Sequence, residues 1–327
     1  MKISPPITPA KRAAKPDLPL AVGPAISQTA FMLLALTLVS PDLQALSEAG
    51  RLAGAAVAAA SARVKEPRIL GPDAVDWLVE ADAIAPVRTV VDAALAGLPV
   101  DVCVQPFEGR KKRLFIADMD STIIGCECLD ELADFAGVKD EVAAITERAM
   151  AGEIAFDAAL RERVAMLKGL SVSVLAQCYD ERVRLNPGAR TLVRTMAAQG
   201  VHCFLVSGGF EAFTDPVAEA AGFAGHQANR FIVENDVLTG EVAEPILGRE
   251  AKREALQLHA AHFGLGFAQA LAVGDGANDL GMIEAAGLGV AYRAKPVVAA
   301  RADARVDHAD LRALLYFQGY DARTFLA

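Results

Sequence analysis

The chain has 327 residues, of which 53% are hydrophobic, and it carries a formal net charge of −9. Its length predicts more than one domain, and its negative charge excludes nucleic acid as the main partner. Five cysteines at irregular spacing do not form the disulfide framework of a small secreted protein. The longest apolar run, residues 30–39, is too short to span a bilayer, so we expect a cytoplasmic protein without a membrane partner.

The N-terminal residues 1–28 combine lysine and arginine with frequent proline. The prolines interrupt every apolar stretch, so this segment lacks the apolar core of a secretory signal peptide. A segment of this composition cannot bury enough apolar surface to offset the entropy of ordering its chain. We therefore expect residues 1–28 to be a disordered extension.

Residues 29–105 show strand and helix patterns in the order β-α-β-β-α-β. Ser40 and Pro41 favour a helix start with serine as the N-cap and proline in the first turn. The order of elements predicts a small ferredoxin-like module. The predicted strands are residues 30–39, 68–70, 75–79 and 100–104, and the predicted helices are residues 40–62 and 86–97.

A basic segment at residues 106–112 follows this module and contains Arg110, Lys111 and Lys112. Such a run of charges is typical of a solvated connection. We interpret it as a linker that opens a second domain, residues 106–327.

The second domain begins with an apolar strand at residues 114–118. A helical block at about residues 127–185 then interrupts the alternation of strands and helices. We interpret this block as a small helical cap inserted into an α/β domain. Its predicted helices are residues 129–136, 142–150, 156–167 and 173–180.

Strands and helices alternate again after the cap, and a hairpin is predicted around residues 234–236. The predicted fold class is α/β, with a doubly wound, mostly parallel sheet and a small inserted helical cap, preceded by an α+β ferredoxin-like module. The predicted strands of this part are residues 201–206, 231–233, 237–242, 270–273 and 288–292.

Three predicted strands of the second domain end in residues that can carry chemistry. Because ligands of open α/β sheets bind just outside the carboxyl ends of the strands, we expect these residues to lie close together. Carboxylates at such an edge suit a hard cation, and hydroxyl and backbone N–H groups suit an oxyanion. The residues are Asp118 and Asp120 after the first strand, Ser207 and Gly208 after the second, and Asp275, Asn278 and Asp279 after the third.

Together with Lys252, which lies between the second and third of these motifs, the pattern resembles that of the haloacid dehalogenase-like phosphohydrolases. From about residue 112 to the C-terminus it is most similar to the phosphoserine phosphatases of that superfamily. The resemblance implies Mg²⁺-dependent hydrolysis of O-phosphoserine, the last step of serine biosynthesis. The N-terminal module resembles the ACT-type amino-acid-binding domains that precede some of these enzymes.

Hydrolysis of a phosphomonoester needs a nucleophile, neutralisation of charge and a proton for the leaving alkoxide. Asp118 is the expected nucleophile, which forms an aspartyl-phosphate, and Asp120 is the expected general acid and later base. The resemblance assigns the same two roles. The expected Mg²⁺ ligands are the carboxylates of Asp118 and Asp275 and the backbone carbonyl of Asp120, with Asp279 supporting them.

Four residues are expected to bind the phosphoryl group. Ser207 and the Gly208 N–H would do so at a helix start. Lys252 would neutralise charge, and Asn278 would donate a hydrogen bond.

The resemblance implies that four cap residues recognise the rest of the substrate. Glu127 receives the substrate amine, and Arg163 binds the substrate carboxylate as a bidentate fork. Met150 and Phe156 shield the carbons of the serine moiety. Ordinary packing within the cap, or a surface ion pair, is the alternative explanation for each of these residues.

Two alternatives to this function stay open at the level of sequence. One is a related phosphatase or phosphotransferase that acts on another small phosphomonoester. The other is an amino-acid-responsive regulatory protein with little catalysis, which uses the N-terminal module. That module could also form a homodimer or pack against the second domain.

Overall fold

The computed structural model describes residues 31–60, 62–150, 153–248 and 250–327. The extension predicted at residues 1–28 lies outside these ranges. No helix in the described ranges is long and apolar enough to cross a membrane.

The N-terminal part is an antiparallel sheet with two helices, and its elements follow the predicted order with one additional short strand, β2. The elements are β1 (Met32–Val39), α1 (Leu43–Ala59), β2 (Arg63–Val64), β3 (Arg68–Gly71), β4 (Ala74–Ala81), α2 (Ile84–Ala94) and β5 (Asp101–Pro106). Strand β1 lies at the centre of the sheet, between β4 and β5, and the strand order is β2-β4-β1-β5 with β3 also paired to β4.

Helix α1 begins later than predicted, and Ser40 is not its N-cap. Asp42 is the N-cap, since its side chain accepts hydrogen bonds from the backbone N–H groups of Gln44 and Ala45. The Ser40 hydroxyl instead donates to the Pro99 carbonyl at 2.7 Å. A carboxylate two residues further along the chain therefore caps the helix, and the serine joins two distant loops.

The second domain begins with strand β6 (Leu114–Ala117), and its cap helices are α3 (Cys128–Ala136), α4 (Lys139–Met150), α5 (Phe156–Ala165) and α6 (Val172–Arg182). The later elements are α7 (Ala189–Ala198), β7 (His202–Phe210), α8 (Glu211–Ala221), β8 (Gly225–Asn229), β9 (Phe231–Glu234), β10 (Val237–Val242), α9 (Ala251–His262), β11 (Ala270–Gly274), α10 (Leu280–Ala285), β12 (Leu288–Tyr292), α11 (Pro296–Ala299), β13 (Ala304–Val306) and α12 (Ala313–Phe317). Six of these strands form a parallel sheet in the order β13-β12-β11-β6-β7-β8, which confirms the predicted fold class.

The connections of this sheet reverse direction beside β6. The chain passes from β6 outward to β7 and β8 and then returns to β11 on the other side of β6. Such a switch point opens a crevice at the carboxyl ends of the strands, where ligands bind in open α/β sheets. The strands that carry the three motifs are therefore neighbours in the sheet.

The segment predicted as a solvated linker is partly buried, so that interpretation was wrong. Arg110 is 6% exposed and forms two hydrogen bonds, of 2.9 and 3.0 Å, with the carboxylate of Asp76 in β4. Lys112 is also 6% exposed, and its ammonium donates to the carbonyls of Gly109 and Ala268. These charges join the N-terminal sheet to the second domain, and residues 31–327 form one compact unit.

The two faces of the N-terminal sheet pack against different partners. One face, which includes Leu36 and Leu38, forms an apolar core with α1 and α2. Residues of the other face, such as Val39 and Cys103, belong to the same core as α12 of the second domain. The sheet is therefore covered on both sides within a single chain.

Candidate active site

The carboxyl ends of β6, β7 and β11 bring the predicted motif residues together. Asp118 directly follows β6, Ser207 and Gly208 lie near the C-terminal end of β7, and Asp275 directly follows β11. Gly208 precedes the first residue of α8 by three positions, so the pair that is expected to bind phosphate lies in the strand and not at the helix start that was predicted. The pairing of β7 with β8 shifts register between Val206 and Phe210, which accommodates this pair at the end of the strand.

Asp118 is a buried carboxylate held by two donors. Its Oδ1 accepts a hydrogen bond of 2.7 Å from the Met119 N–H and lies 2.6 Å from the ammonium of Lys252. Burial and the charge of Asp279 raise the pKa of Asp118 well above its usual value, and Lys252 opposes that shift. Its other oxygen, Oδ2, has no hydrogen-bond donor among the described residues.

Lys252 is 3% exposed and lies between two carboxylates. Its Nζ is 2.6 Å from Asp118 and 2.5 Å from Oδ1 of Asp279. Burial disfavours the charged ammonium, but the two carboxylates outweigh burial and raise the pKa of Lys252 above its usual value. The side chain is therefore a permanent positive charge beside Asp118.

Asp120 has different surroundings, although it is only two residues further along the chain. Its Oδ1 accepts a hydrogen bond of 2.9 Å from the Cys128 N–H at the start of α3, and its Oδ2 accepts one of 3.3 Å from the Ser207 hydroxyl. Burial and then the charge of Glu127 raise the pKa of Asp120 to about 6. This pKa suits a group that gives and takes a proton near neutral pH.

Three carboxylates form a group that can hold a cation. Asp118, Asp275 and Asp279 each offer an oxygen, and these atoms lie within 4.8 Å of one another. Burial followed by the charge of Asp279 raises the pKa of Asp275 to about 6, so a positive charge here would relieve repulsion. Such an oxygen donor set fits a hard divalent cation.

Asp279 differs from the other two acids because protein groups occupy both of its oxygens. Oδ1 accepts from Lys252, and Oδ2 accepts from the N–H groups of Asp275 and Gly276 at 3.1 and 2.9 Å. A Cβ at Gly274 would lie 2.3 Å from the Asp279 carboxyl carbon, so only glycine permits this approach. Asp279 thus braces the turn that presents Asp275.

The remaining predicted phosphate ligand, Asn278, also lies in this turn. It is half-buried, and its amide oxygen lies close to Gly276. A Cβ added at Gly276 would be 2.3 Å from this oxygen.

The cap places two charged side chains near these acids. Glu127 is exposed at the N-cap position of α3, and its carboxylate accepts a hydrogen bond of 2.6 Å from the Ser121 hydroxyl. Arg163 in α5 is half-buried, and burial lowers its pKa while Asp130, Glu127 and Asp120 oppose that shift. Only its Nε has a hydrogen bond, to the Ala159 carbonyl, and no carboxylate in the described ranges lies within ion-pair distance of its guanidinium.

The apolar cap residue Phe156 lies close to Ser207 and Gly208, the segment that is expected to bind phosphate and is called the phosphate-binding segment below. A Cβ built on Gly208 would lie 3.4 Å from the Phe156 ring, and one on Gly248 would lie 3.8 Å from it. The side chain of Met150 lies outside the described part of the structure.

Two asparagines near the site, the half-buried Asn186 and the buried Asn229, were not predicted from the sequence as site residues. Asn186 donates to the carbonyls of Thr122 and Ile124, which fixes the turn after Asp120. Asn229 donates to the Gly208 carbonyl. The sequence marks these two residues only by their positions. Asn186 precedes Pro187-Gly188, and Asn229 ends a strand that was not predicted.

A family model described as haloacid dehalogenase-like hydrolase matches residues 115–284, more than half of the chain. The chain belongs to this family. The match begins in β6 and ends in α10, so it includes all three motifs and the cap.

Members of this family with high similarity include two bacterial phosphoserine phosphatases. That of Streptomyces coelicolor is 43% identical over 248 residues, which cover 75% of this chain and 60% of that protein. That of a Polaromonas species is 44% identical over 224 residues, which cover 67% of this chain and 95% of that protein. The chain spans about three fifths of the length of several such relatives, including the Streptomyces protein.

A solved structure extends the similarity to the N-terminal sheet. A HAD family hydrolase from Salmonella enterica serovar Typhi matches with a TM-score of 0.77 at 28% identity, covering 88% of this chain and 98% of that one. A match of this coverage includes most of the N-terminal part as well as the second domain.

Proposed function

We propose that this chain is a phosphatase that hydrolyses O-phospho-L-serine to L-serine and phosphate, the last step of serine biosynthesis. The observation that carries the proposal is the difference between the surroundings of Asp118 and those of Asp120. One carboxylate is bonded to a buried ammonium, and the other is bonded to neutral donors beneath a charged cap. The similarity to phosphatases that are named for phosphoserine supports the choice of substrate.

Asp118 is the nucleophile. Its Oδ1 is held by Met119 and Lys252, which leaves Oδ2 to attack phosphorus. The bond from phosphorus to the serine oxygen breaks as an acyl-phosphate forms on Asp118. Lys252 stabilises the negative charge that spreads over the phosphoryl oxygens, and Ser207, the Gly208 N–H and Asn278 bind those oxygens.

Asp120 moves the proton. In its protonated form it donates to the leaving alkoxide, and as a carboxylate it then removes a proton from the water that opens the acyl-phosphate. The hydrogen bonds from Cys128 and Ser207 hold the carboxyl in one orientation for both steps.

The carboxylates of Asp118 and Asp275 and the backbone carbonyl of Asp120 would hold the cation, which we expect to be Mg²⁺. When bound, it neutralises charge between these acids and the phosphoryl group. Asp279 keeps Asp275 in place through its hydrogen bonds to the turn.

The cap selects the substrate. The unpaired guanidinium of Arg163 binds the substrate carboxylate, and the carboxylate of Glu127 binds the substrate ammonium. Phe156 and Met150 cover the carbon atoms between them. A polar substrate enclosed in this way needs a partner for each charge, because an unpaired buried charge is costly.

We place the enzyme in the cytoplasm. All five cysteines are free thiols, which is typical of a reducing compartment. Dimerisation through the N-terminal module and the division of the chain at residues 105 and 106 stay predictions.

Phosphate release from a panel of phosphomonoesters at matched concentrations tests the proposal. The panel contains O-phospho-L-serine, O-phospho-D-serine, phosphothreonine, phosphoethanolamine and glycerol phosphate, each measured with Mg²⁺ and with a chelator. We expect the highest kcat/KM for phosphoserine and loss of activity with the chelator. A higher kcat/KM for an ester without the amine and carboxylate contradicts the substrate assignment, and phosphate transfer to added homoserine identifies a phosphotransferase instead.

A further inference from the structure

Asn229 is a buried amide at the end of β8 that forms hydrogen bonds with two separate segments, the end of β7 and the loop after β10. It is 2% exposed. Its Nδ2 donates to the Gly208 carbonyl at 2.9 Å and to the Leu247 carbonyl at 3.4 Å. Its Oδ1 accepts from the Leu247 N–H at 2.7 Å. The side chain therefore connects the phosphate-binding segment to the loop that follows β10.

The bond to Gly208 fixes more than one atom of that segment. The Gly208 carbonyl and the Gly209 N–H belong to one planar peptide group, so the orientation of the first sets that of the second. The Gly209 N–H donates to the Ser207 hydroxyl oxygen at 2.8 Å, and this hydroxyl in turn donates to Oδ2 of Asp120 at 3.3 Å. A continuous chain of bonds thus leads from Asn229 to the general acid.

The second loop bonded by Asn229 lies against the cap. Gly248 is adjacent to Leu247, and a Cβ added at either Gly248 or Gly208 would lie within 4 Å of the ring of Phe156. In the same loop, Glu244 forms an ion pair with Arg161 of cap helix α5. Asn229 therefore fixes the position of the end of β7 relative to the loop after β10, and both segments lie next to this part of the cap.

We propose that Asn229 is a positioning residue, which sets the Gly208–Gly209 peptide so that Ser207 can bind phosphate and orient Asp120. The inference rests on the proposed function, in which Ser207 and Asp120 act on a phosphoryl group. Asn229 itself touches neither the substrate nor the reacting atoms in this account.

The test compares Asn229→Ala and Asn229→Asp with a matched control, Gln318→Ala. Asn229→Asp keeps the shape and the acceptor for Leu247 but removes both donated bonds. Gln318 is also a fully buried amide that bonds backbone groups, namely the Leu314 carbonyl and the Lys112 N–H, and neither group belongs to the active site. The probe is inorganic phosphate, measured by calorimetric binding and as an inhibitor of aryl phosphate hydrolysis.

We expect both Asn229 variants to weaken phosphate binding about tenfold, the equivalent of about 1.4 kcal/mol, with binding by Gln318→Ala unchanged. The double variant Asn229→Ala/Ser207→Ala should bind phosphate no more weakly than Ser207→Ala alone, because Asn229 acts through Ser207. If Asn229→Ala does not fold, Asn229→Asp replaces it in both comparisons.

The inference would be overturned if the Asn229 variants bind phosphate as tightly as the wild type and only lose thermal stability, as Gln318→Ala does. Additive effects of the Asn229 and Ser207 substitutions would overturn it as well. These results are distinct from failure of the proposed function, which would appear as wild-type protein that neither binds phosphate nor releases it from phosphoserine.

Discussion

Asp118 and Asp120 show how two carboxylates close in sequence acquire different properties. Asp118 lies 2.6 Å from a buried ammonium, whereas both hydrogen bonds to Asp120 come from neutral donors. The charge of Lys252 favours the ionised form of Asp118, against the rise in its pKa that burial and Asp279 cause. Burial and the charge of Glu127 favour the protonated form of Asp120. The difference in surroundings therefore matches the two proposed roles.

Asp120→Asn should slow the hydrolysis of substrates with poor leaving groups most. Asparagine cannot protonate the alkoxide of phosphoserine, whereas the phenolate of an aryl phosphate leaves with little protonation. We expect a loss in kcat of about 10²–10⁴-fold for phosphoserine and a clearly smaller loss for an aryl phosphate. Equal losses on the two substrates would count against Asp120 as the general acid.

Glu127→Gln should change the pH dependence of the reaction. The charge of Glu127 raises the pKa of Asp120, so removing that charge lowers this pKa. Because the acid must be protonated, the alkaline limb of the kcat/KM profile should move to lower pH. The substrate for this test is glycerol phosphate, which has no amine to bind Glu127. An unchanged alkaline limb contradicts the electrostatic coupling.

The sequence indicated site residues at strand ends better than residues whose role depends on long-range hydrogen bonds. Asp118, Asp275 and Ser207 follow apolar strands, and a parallel sheet brings such strand ends together. Asn229 could not be found in this way, because its importance depends on bonds to loops that are distant in sequence. The roles assigned to the predicted residues stay predictions until the variants are measured.

At the scale of elements, the cap helices lie close to their predicted positions because each has a clear boundary. Gly137, for example, adopts a left-handed conformation directly after α3, with φ of 70°. Strands β8 and β13 were not predicted from the sequence. The sequence of β8, residues 225–229, is short and largely polar, and β13 has only 3 residues. Both are edge strands, whose sequences carry a weaker pattern than those of buried strands.

Helices α3 and α5 present opposite charges toward the site, which predicts opposite effects of two cap substitutions. Arg163→Ala leaves the phosphoserine carboxylate unpaired, which costs about 2–5 kcal/mol, or roughly 30- to several-thousand-fold in kcat/KM. Phosphoethanolamine has no carboxylate and should be affected little. Glu127→Ala should show the reverse preference and spare phosphate esters of hydroxy acids.

The measurement for this prediction is kcat/KM of both variants on phosphoserine, phosphoethanolamine and a phosphorylated hydroxy acid. Arg161→Ala is the control, since Arg161 lies on the same helix but pairs with Glu244 at the surface. An equal loss by Arg163→Ala on phosphoserine and phosphoethanolamine would show that Arg163 only stabilises the cap.

At the scale of the whole molecule, buried polar contacts join the N-terminal sheet to the second domain. The carboxylate of Asp101 accepts hydrogen bonds from the backbone N–H groups of residues 307–309, and Asp73 accepts from the Tyr316 hydroxyl. The sequence predicted the main elements of the module, without the short strand β2, and left open that the module packs against the second domain, but it did not predict these contacts. Long-range pairs of this kind leave no periodic pattern in a sequence.

The buried pair of Asp76 and Arg110 predicts a strong dependence of stability on this interface. Arg110→Ala leaves the 3% exposed Asp76 without its main partner, which should lower the free energy of unfolding by about 3–5 kcal/mol. Arg68 lies 3.8 Å from the same carboxylate but has a 58% exposed side chain, so Arg68→Ala should cost less than about 1 kcal/mol. Denaturant unfolding of both variants measures the difference, and equal losses would contradict it.

A shortened protein that starts near Gln105 should retain the catalytic motifs and some phosphatase activity. It should also be less stable, because it lacks Asp76 and Asp101 and exposes the apolar surface that packs on the sheet. Binding of Mg²⁺ and phosphate by the folded fragment is the measurement. Loss of both in a well-folded fragment would show that the N-terminal part belongs to the catalytic unit.

The most direct test of the central claim is to trap the covalent intermediate with O-phospho-L-serine. The enzyme is mixed with excess substrate and Mg²⁺ and quenched in acid, and its peptides are examined by mass spectrometry. We expect one added phosphoryl group on the carboxylate of Asp118 and none in Asp118→Asn. The kcat of this variant should fall by about three orders of magnitude or more. A phosphoryl group on another residue, or phosphoserine turnover by Asp118→Asn at a tenth of the wild-type rate, would contradict the claim.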